Sequence, residues 1–217
     1  MSKLDLLKGI RVLEELDSPV NGKVKVVQSL GWGISIQAGN LTQSGGVLRD
    51  VWGSTLKRVK KDVDKVSSCL ILGLGGGSAA RLVKNYWPEV SITGVELDPL
   101  MIDLGVKYLG LSEVGVDIKI ENATDYCNTA AKSGKKFDFI LNDIYVGSTI
   151  PEQFEEEGFV TKIKSLMDPE VSTSIFNRLY FGEKRGDAMR FLKKLERQFS
   201  TVKPIYPEAN VMFVCRN

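Results

Sequence analysis

The stretch CLILGLGGGSAA, from Cys69 to Ala80, decides the fold. Its first four residues, 69–72, are apolar and end at a cluster of glycines, as a buried parallel strand does when it enters a tight turn before a helix. Gly73, Gly75 and Gly77 allow the backbone to turn sharply and to approach a ligand closely. The stretch therefore predicts the strand, turn and helix at the centre of a nucleotide-binding sheet.

The spacing of the glycines favours one of two kinds of cofactor. The dinucleotide pattern GxGxxG requires Gly or Ala at position 78, where this chain has Ser78. A serine at this position is able to cap the next helix. The pattern GxGxG, in contrast, matches completely. The residues favour a nucleoside such as S-adenosylmethionine over NAD. Because glycine-rich turns also occur without a ligand, a second element matters. Glu96 ends the next predicted strand, Val90–Val95, where a carboxylate can accept hydrogen bonds from both ribose hydroxyls.

Composition limits the other classes of function. The chain has 217 residues, 29 Lys and Arg, 27 Asp and Glu, three Cys and no His. The charges nearly cancel and the basic run within 57–65 has the spacing of a solvated helix face, so no nucleic-acid partner is indicated. Without histidine and with widely spaced cysteines, neither a metal site nor a disulfide framework is predicted. With no apolar stretch of membrane-spanning length and no recognisable signal peptide, we expect a cytoplasmic protein.

The rest of the chain alternates strand and helix patterns, which is typical of a doubly wound α/β fold. We predict a Rossmann-like, mostly parallel sheet over residues 47–217 with an antiparallel final strand. Residues 1–46 are predicted to form an appendage. It would consist of a helical lead to about residue 22, with apolar Leu4, Leu7 and Leu13, and a short β-hairpin around 31–33.

Polar residues follow further predicted strands. The third strand is followed by Asn122 and Ala123, and the fourth by Asp143 and Tyr145. In open parallel sheets, ligands bind at the carboxyl ends of the strands, so these residues should join the glycines at one edge. The side-chain amide of Asn122 and the backbone N–H of Ala123 could form hydrogen bonds with the edge of adenine. An asparagine is equally typical of a turn that starts a helix.

Four motifs, LILGLGGGSA, VELDPLMIDLGVKYLG, ENATDY and FDFILNDIYVG, resemble those of spermidine synthase and the wider class I S-adenosylmethionine-dependent methyltransferase superfamily. The resemblance covers roughly residues 23–214. It implies a cofactor site for S-adenosylmethionine or its decarboxylated form, in which the three glycines face the methionine part. It also implies that Glu96 holds the ribose, that Leu97 belongs to the cofactor site, and that Asn122 with Ala123 contacts adenine.

The same resemblance implies that Asp143 lies beside the reacting centre, where it could orient or deprotonate an acceptor. Gln43 and Tyr145 are candidates for the acceptor pocket. Spermidine synthases carry an Asp-Glu pair where this chain has Ser44-Gly45-Gly46, and a second aspartate where it has Val146. These acids hold a cationic diamine and deprotonate its amine, so their absence favours methyl transfer over aminopropyl transfer.

Three alternatives to a methyltransferase stay open on the sequence. The first is a polyamine aminopropyltransferase that uses decarboxylated S-adenosylmethionine. The second is a non-catalytic subunit that binds a nucleoside or a partner, because a fold does not determine function. An NAD-dependent oxidoreductase is the third, and Ser78 weakens it. For the methyltransferase, we expect a small-molecule acceptor of unknown identity, and the sequence is compatible with a homodimer.

Overall fold

The computed structural model describes residues 9–39, 41–169 and 172–217, and contains two sheets. The first sheet is antiparallel, in the order β1-β2-β3-β4. Its strands are β1 (Ile10–Ser18), β2 (Gly22–Ser29), β3 (Gly33–Ala38) and β4 (Leu41–Gly45).

The second sheet has seven strands in the order β10-β11-β9-β8-β5-β6-β7. These are β5 (Ser68–Leu72), β6 (Ser91–Glu96), β7 (Val116–Ile120), β8 (Phe139–Asn142), β9 (Thr173–Leu179), β10 (Thr201–Ile205) and β11 (Asn210–Arg216). Strands β5 to β9 are parallel, and β11 is antiparallel to its neighbours β9 and β10. The prediction of a Rossmann-like, mostly parallel sheet with an antiparallel final strand is confirmed.

Helices cover both faces of the second sheet, and its central strand β5 is buried on both sides. The helices are α1 (Gly46–Val59), α2 (Ser78–Tyr86), α3 (Pro99–Leu109), α4 (Ala123–Lys132), α5 (Glu157–Leu166) and α6 (Lys184–Gln198). Leu70 and Leu72 pack in one core with α4, α5 and α6, whereas Cys69 and Ile71 pack in the other with α1 and α2. Because successive side chains of a strand face opposite sides, an uninterrupted apolar run is what this position requires. No helix in the described ranges is long and apolar enough to cross a membrane.

The predicted helical lead is wrong over residues 10–18, which form strand β1. Leu4 and Leu7 lie outside the described residues. Leu13 and Leu16 have the three-residue spacing of a helix, but a β-bulge between Val12 and Glu14 shifts the register of the strand. Since the extra residue lets side chains three apart share one face, both leucines pack against the core of the first sheet. The predicted hairpin is likewise only part of a four-stranded sheet.

Helix α3 joins the two sheets. Met101 and Leu104 share a core with Val24 and Ile36 of the first sheet. Gly105 on the same helix approaches the glycine loop so closely that an added Cβ would lie 2.7 Å from the Cα of Gly76. The close contact of the helix with the loop therefore depends on a glycine at position 105.

We expect Gly105→Ala to destabilise the fold by about 1–3 kcal/mol, because a Cβ at this position would overlap the backbone of the glycine loop. Gly158→Ala in α5 is the matched control, since a Cβ there meets no atom within 4 Å. It should stabilise the protein by about 0.4–1 kcal/mol, because alanine lowers the conformational entropy of the unfolded chain. Urea denaturation measures both. Equal effects of the two substitutions would contradict the close packing of α3 on the loop.

Candidate active site

The glycine loop between β5 and α2 turns tightly because Gly73, Gly75 and Gly77 have φ angles of 82°, 54° and 85°. A Cβ at Gly73 would lie 2.3 Å from the carbonyl oxygen of Asp143, and one at Gly77 would lie 2.4 Å from Cδ1 of Leu111. Positive φ angles favour glycine at all three positions, and at Gly73 the close neighbour is backbone, which cannot move aside as a side chain can. The packing of the loop therefore favours these glycines independently of any ligand.

Strand β4 of the first sheet docks directly onto this loop. The N–H of Gly76 donates to Oγ of Ser44 over 2.7 Å, and the N–H of Gly45 donates to Oγ of Ser78 over 2.7 Å. Ser78 is thus a partner of β4 rather than the cap of α2, whose N-cap is Gly77. The docking brings side chains from the start of the chain to the carboxyl edge of the second sheet.

Glu96, at the end of β6, is enclosed by the backbone rather than solvated. Its Oε2 accepts the N–H of Gly75 over 2.7 Å, and its Oε1 accepts the N–H groups of Leu97 and Asp98 over 2.9 and 3.0 Å. Burial raises the pKa of the carboxyl group, whereas the three N–H donors lower it. A carboxylate has about four acceptor sites, so capacity for a further donor remains.

A cavity of about 90 Å³, here named the glycine-loop cavity, is lined by Val95 and Leu97, the chain neighbours of Glu96, but not by Glu96 itself. Predicted cofactor residues Gly73, Leu97, Asn122 and Ala123 line it together with Tyr145. Apolar side chains form most of its other walls: Val20, Val95, Ile144, Val146, Pro151 and Phe154. Val20, from the turn between β1 and β2, was not predicted, because nothing in its sequence neighbourhood indicates contact with the second sheet.

Asn122 combines the two roles that the sequence left open. Its Oδ1 accepts the N–H of Thr124 over 2.8 Å and caps helix α4, so the turn that starts a helix is present. The same residue lines the glycine-loop cavity. Its NH₂ group is left as a donor, beside the N–H of Ala123 in the first turn of the helix, where backbone donors have no partner within the helix.

Asp143 follows β8 and is held by two donors that the sequence analysis did not identify. Nε1 of Trp52 donates to Oδ2 over 2.7 Å, and Nδ2 of Asn177 donates to Oδ1 over 2.7 Å. Nδ2 of Asn210 in turn donates to Oδ1 of Asn177 over 2.8 Å. Asn177 was detectable in principle, since it is a polar residue inside the buried strand TSIFNRL, whereas Trp52 reads as an ordinary core residue of α1.

Burial and hydrogen bonding shift the pKa of Asp143 in opposite directions. Burial raises the pKa of the carboxyl group above its usual value. The hydrogen bonds from Asn177 and Trp52 and the nearby positive charge of Arg178 act in the opposite direction, because each favours the ionised form. A carboxyl group poised in this way suits proton transfer.

A second cavity, of about 140 Å³ and here named the Asp143 cavity, is lined by this residue. Gln43 and Tyr145, the predicted acceptor residues, both line it, and Nε2 of Gln43 donates to the carbonyl oxygen of Gly147 over 2.6 Å. Apolar side chains supply most of its walls: Leu41, Val47, Leu48, Val51, Leu179 and Phe181. Because Tyr145 lines both cavities, they adjoin at this residue.

The predicted site residues thus separate into two neighbouring groups. Gly75, Gly77 and Glu96, which were also predicted, line neither cavity. Across residues 9–39, 41–169 and 172–217 no group of three or more Cys, Asp or Glu side chains is arranged to hold a metal ion.

Comparison with known proteins matches residues 57–215 to the model of the spermine/spermidine synthase domain. The chain is 38% identical over 108 residues to a probable polyamine aminopropyl transferase of Bifidobacterium longum, a match that covers 49% of the chain and 23% of the relative. It is 32% identical over 111 residues to the human eEF1A lysine and N-terminal methyltransferase, covering 46% of the chain and 16% of the relative. The matches thus span less than a quarter of either relative.

Solved structures share the fold. Human Methyltransferase-like protein 13 in complex with SAH has a TM-score of 0.64 and 26% identity, with 77% of this chain and 79% of that chain covered. Spermidine synthase in complex with the transition-state analogue AdoDATO has a TM-score of 0.76 and 16% identity, with 94% and 72% covered.

We expect Trp52→Phe to raise the pKa of Asp143 further, because the substitution removes an N–H donor that stabilises the ionised carboxylate. Trp87→Phe is the control, since Trp87 is also buried but its Nε1 donates to the carbonyl oxygen of Val63. Carboxyl-carbon NMR titration, with Asp143→Asn to assign the signal, measures the pKa. A pKa of Asp143 that is equal in the two variants would contradict this role of Trp52.

Proposed function

Because the chain belongs to the spermine/spermidine synthase domain family, we propose that it is an S-adenosylmethionine-dependent transferase that methylates an amine. The position of Asp143 carries the proposal. The backbone of Asp143 contacts the glycine loop at Gly73, its side chain lines an apolar cavity, and two neutral donors fix both oxygens of the carboxylate. A lone carboxylate in an apolar wall attracts a cation, and an amine is the common acceptor that is cationic at neutral pH.

The glycine-loop cavity fits the nucleoside part of such a cofactor. Its apolar walls suit the faces of a purine ring, and the NH₂ of Asn122 and the N–H of Ala123 offer donors to the ring nitrogens. The remaining acceptor capacity of Glu96 suits a ribose hydroxyl. When bound, S-adenosylmethionine supplies a methyl group already activated by the sulfonium. Two structural relatives were solved in complex with related compounds, SAH and AdoDATO.

Most of the rate in this proposal comes from alignment. The chain needs to hold the acceptor nitrogen in line with the activated carbon, and the walls of the Asp143 cavity exclude water from the approach. Asp143 would orient the amine and accept a proton from its ammonium form, so that the lone pair becomes available. Trp52 and Asn177 would keep the carboxylate in place for that task.

The side chains of β4 support methyl transfer over aminopropyl transfer. Where β4 contacts the glycine loop it presents Gln43, Ser44 and Gly45, all neutral. S-adenosylmethionine keeps an α-carboxylate that its decarboxylated form lacks. A neutral strand does not repel this carboxylate, whereas an acidic strand would.

Aminopropyl transfer is the second candidate. It is supported by the 38% identity to a probable polyamine aminopropyl transferase, and the site would use Asp143 in the same way. Calorimetric titration with S-adenosylmethionine, its decarboxylated form, methylthioadenosine and NAD distinguishes the candidate functions. We expect S-adenosylmethionine to bind more tightly than its decarboxylated form. Mass spectrometry should detect methylated rather than aminopropylated amines, and efficient, Asp143-dependent spermidine formation from putrescine would reverse the assignment.

We expect Glu96→Ala to weaken S-adenosylmethionine binding by roughly 2–4 kcal/mol, the loss of charged hydrogen bonds together with unpaired donors. The variant should also be less stable, because Gly75, Leu97 and Asp98 lose their acceptor. Binding is therefore measured calorimetrically well below the unfolding temperature of the variant. Glu89→Ala, at an exposed position outside both cavities, is the control. An unchanged dissociation constant for Glu96→Ala would remove Glu96 from the cofactor site.

A further inference from the structure

A groove of about 600 Å³, here named the basic groove, lies between the end of helix α1 and the strands β10 and β11. Arg216, which lines it, pairs with Thr173, the first residue of β9. The groove therefore reaches the edge of the sheet that is formed by the amino ends of the parallel strands, whereas Asp143 follows the carboxyl end of β8. None of the described residues that line the groove lines either cavity of the candidate active site.

The charged side chains that line the basic groove are mostly cationic. Arg58 lies in the last turn of α1, Lys61 in the turn that follows it, and Lys203 on β10, and all three are exposed. Their side chains make no hydrogen bond or ion pair in the described parts of the chain. Asp62, the one acid among the described lining residues, has its Oδ2 3.8 Å from Nη2 of Arg216. The three exposed cations are thus left without a counter-charge.

Arg216 adds a donor that the protein itself leaves unused. Its Nε donates to Oγ1 of Thr173 over 3.3 Å, but its Nη2 is buried and has no hydrogen-bond partner among the described residues. A buried donor without a partner destabilises a protein, and hydrogen bonds between a guanidinium and a carboxylate are among the strongest available. An acidic ligand in the groove would satisfy this donor.

The floor of the groove is apolar, and one of its walls is an edge strand. Val59, Ile205 and Val214 are buried along the floor. β10 stands at the end of the sheet order, so one side of its backbone has no neighbouring strand in the described part of the chain. An extended segment can add to such an edge. Pro204 lies within β10 and limits pairing through the backbone alone, so the cations have to supply the selectivity.

These features fit an acidic peptide better than a nucleic acid. Proteins that bind single strands stack the bases on aromatic side chains, and no aromatic residue is among the described residues that line the groove. An apolar floor accepts aliphatic side chains, and cations on both α1 and β10 attract carboxylates.

We propose that the basic groove is a docking site for an acidic, extended segment of a partner protein, whose carboxylates pair with Arg58, Lys61 and Lys203. The segment lies along β10 with its aliphatic side chains on the apolar floor. The inference goes beyond the proposed function and does not depend on it, because the groove shares no lining residue with the cavities at Asp143 and the glycine loop.

Fluorescence anisotropy of labelled probes, titrated with the full chain, tests the groove. The acidic probe is an octapeptide of alternating glutamate and valine, and the neutral probe carries glutamine in place of each glutamate. An oligothymidylate with the same net charge as the acidic peptide is the nucleic-acid probe. At low salt we expect the acidic peptide to bind about tenfold more tightly than the neutral one, because several exposed ion pairs act together. The difference should shrink at high salt, because exposed pairs are screened.

Two double variants separate the groove from the total charge of the protein. Arg58→Gln with Lys203→Gln removes two exposed cations of the groove whose side chains have no partner in the described residues, so the protein should fold normally. It should bind the acidic peptide about three- to tenfold more weakly. Arg185→Gln with Lys193→Gln lowers the net charge equally at exposed positions of α6 outside the groove, and should leave binding unchanged. Melting temperatures check the fold of both variants.

A preference for the acidic peptide that is lost in the groove variant and kept in the α6 variant would support the docking site, whether or not the protein transfers a methyl group. Equal binding of the acidic and neutral peptides would overturn it, as would an equal loss in the two double variants, which would reflect net charge alone. Tighter binding of the oligothymidylate than of the acidic peptide would replace the peptide by a nucleic acid and overturn the inference as well.

Discussion

The site depends on the hydrogen bonds that the carboxylate of Glu96 accepts from the backbone. It gathers the N–H groups of Gly75, Leu97 and Asp98, which belong to the glycine loop and to the start of α3. Hydrogen bonds to a charged group contribute about 1.5–3 kcal/mol each, so three of them offset part of the desolvation of this carboxylate, and burial still leaves its pKa raised. The result is a rigid corner between β5, β6 and α3, against which the other parts of the site are built.

The first sheet is attached to this corner rather than merely adjacent to it. Oγ of Ser18 and Nδ2 of Asn21 donate to Oδ2 of Asp98 over 2.5 and 2.7 Å. Oδ1 of Asn21 also accepts the N–H of Gly147, in the segment after β8. The turn between β1 and β2 therefore connects the start of α3 with the loop that borders both cavities. This connection explains why Val20, Gln43 and Ser44, all from the start of the chain, come to lie at the carboxyl edge of the second sheet.

A chain of buried polar groups supports the proposed chemistry. Asn210 holds Asn177, which together with Trp52 holds Asp143, and the three supporting residues are almost fully buried. Buried polar groups destabilise a protein unless they are hydrogen-bonded, and in this network each group has a partner. The orientation of Asp143 is therefore set by β9, β11 and α1 together.

The sequence by itself determined the parallel sheet, its central strand and the residues at its carboxyl edge. The signals behind these predictions are local. They are apolar runs such as Cys69–Leu72, glycines that permit positive φ, and polar residues that follow strands, and each depends only on the conformation of one strand or turn. Gly73, Asn122 and Ala123 were expected together from these signals, and Leu97 was expected from the family resemblance; all four line one cavity.

Only the tertiary structure decided which residues hold Asp143 and which cover the site. Trp52 reaches it across 91 positions and Asn177 across 34, and hydrogen bonds at such separations leave no periodic mark in a sequence. The helical lead, predicted from Leu4, Leu7 and Leu13, was wrong over residues 10–18 for a related reason, because pairing with β2 makes this segment a strand. Local patterns report the faces of single elements, whereas a site is built from the contacts between them.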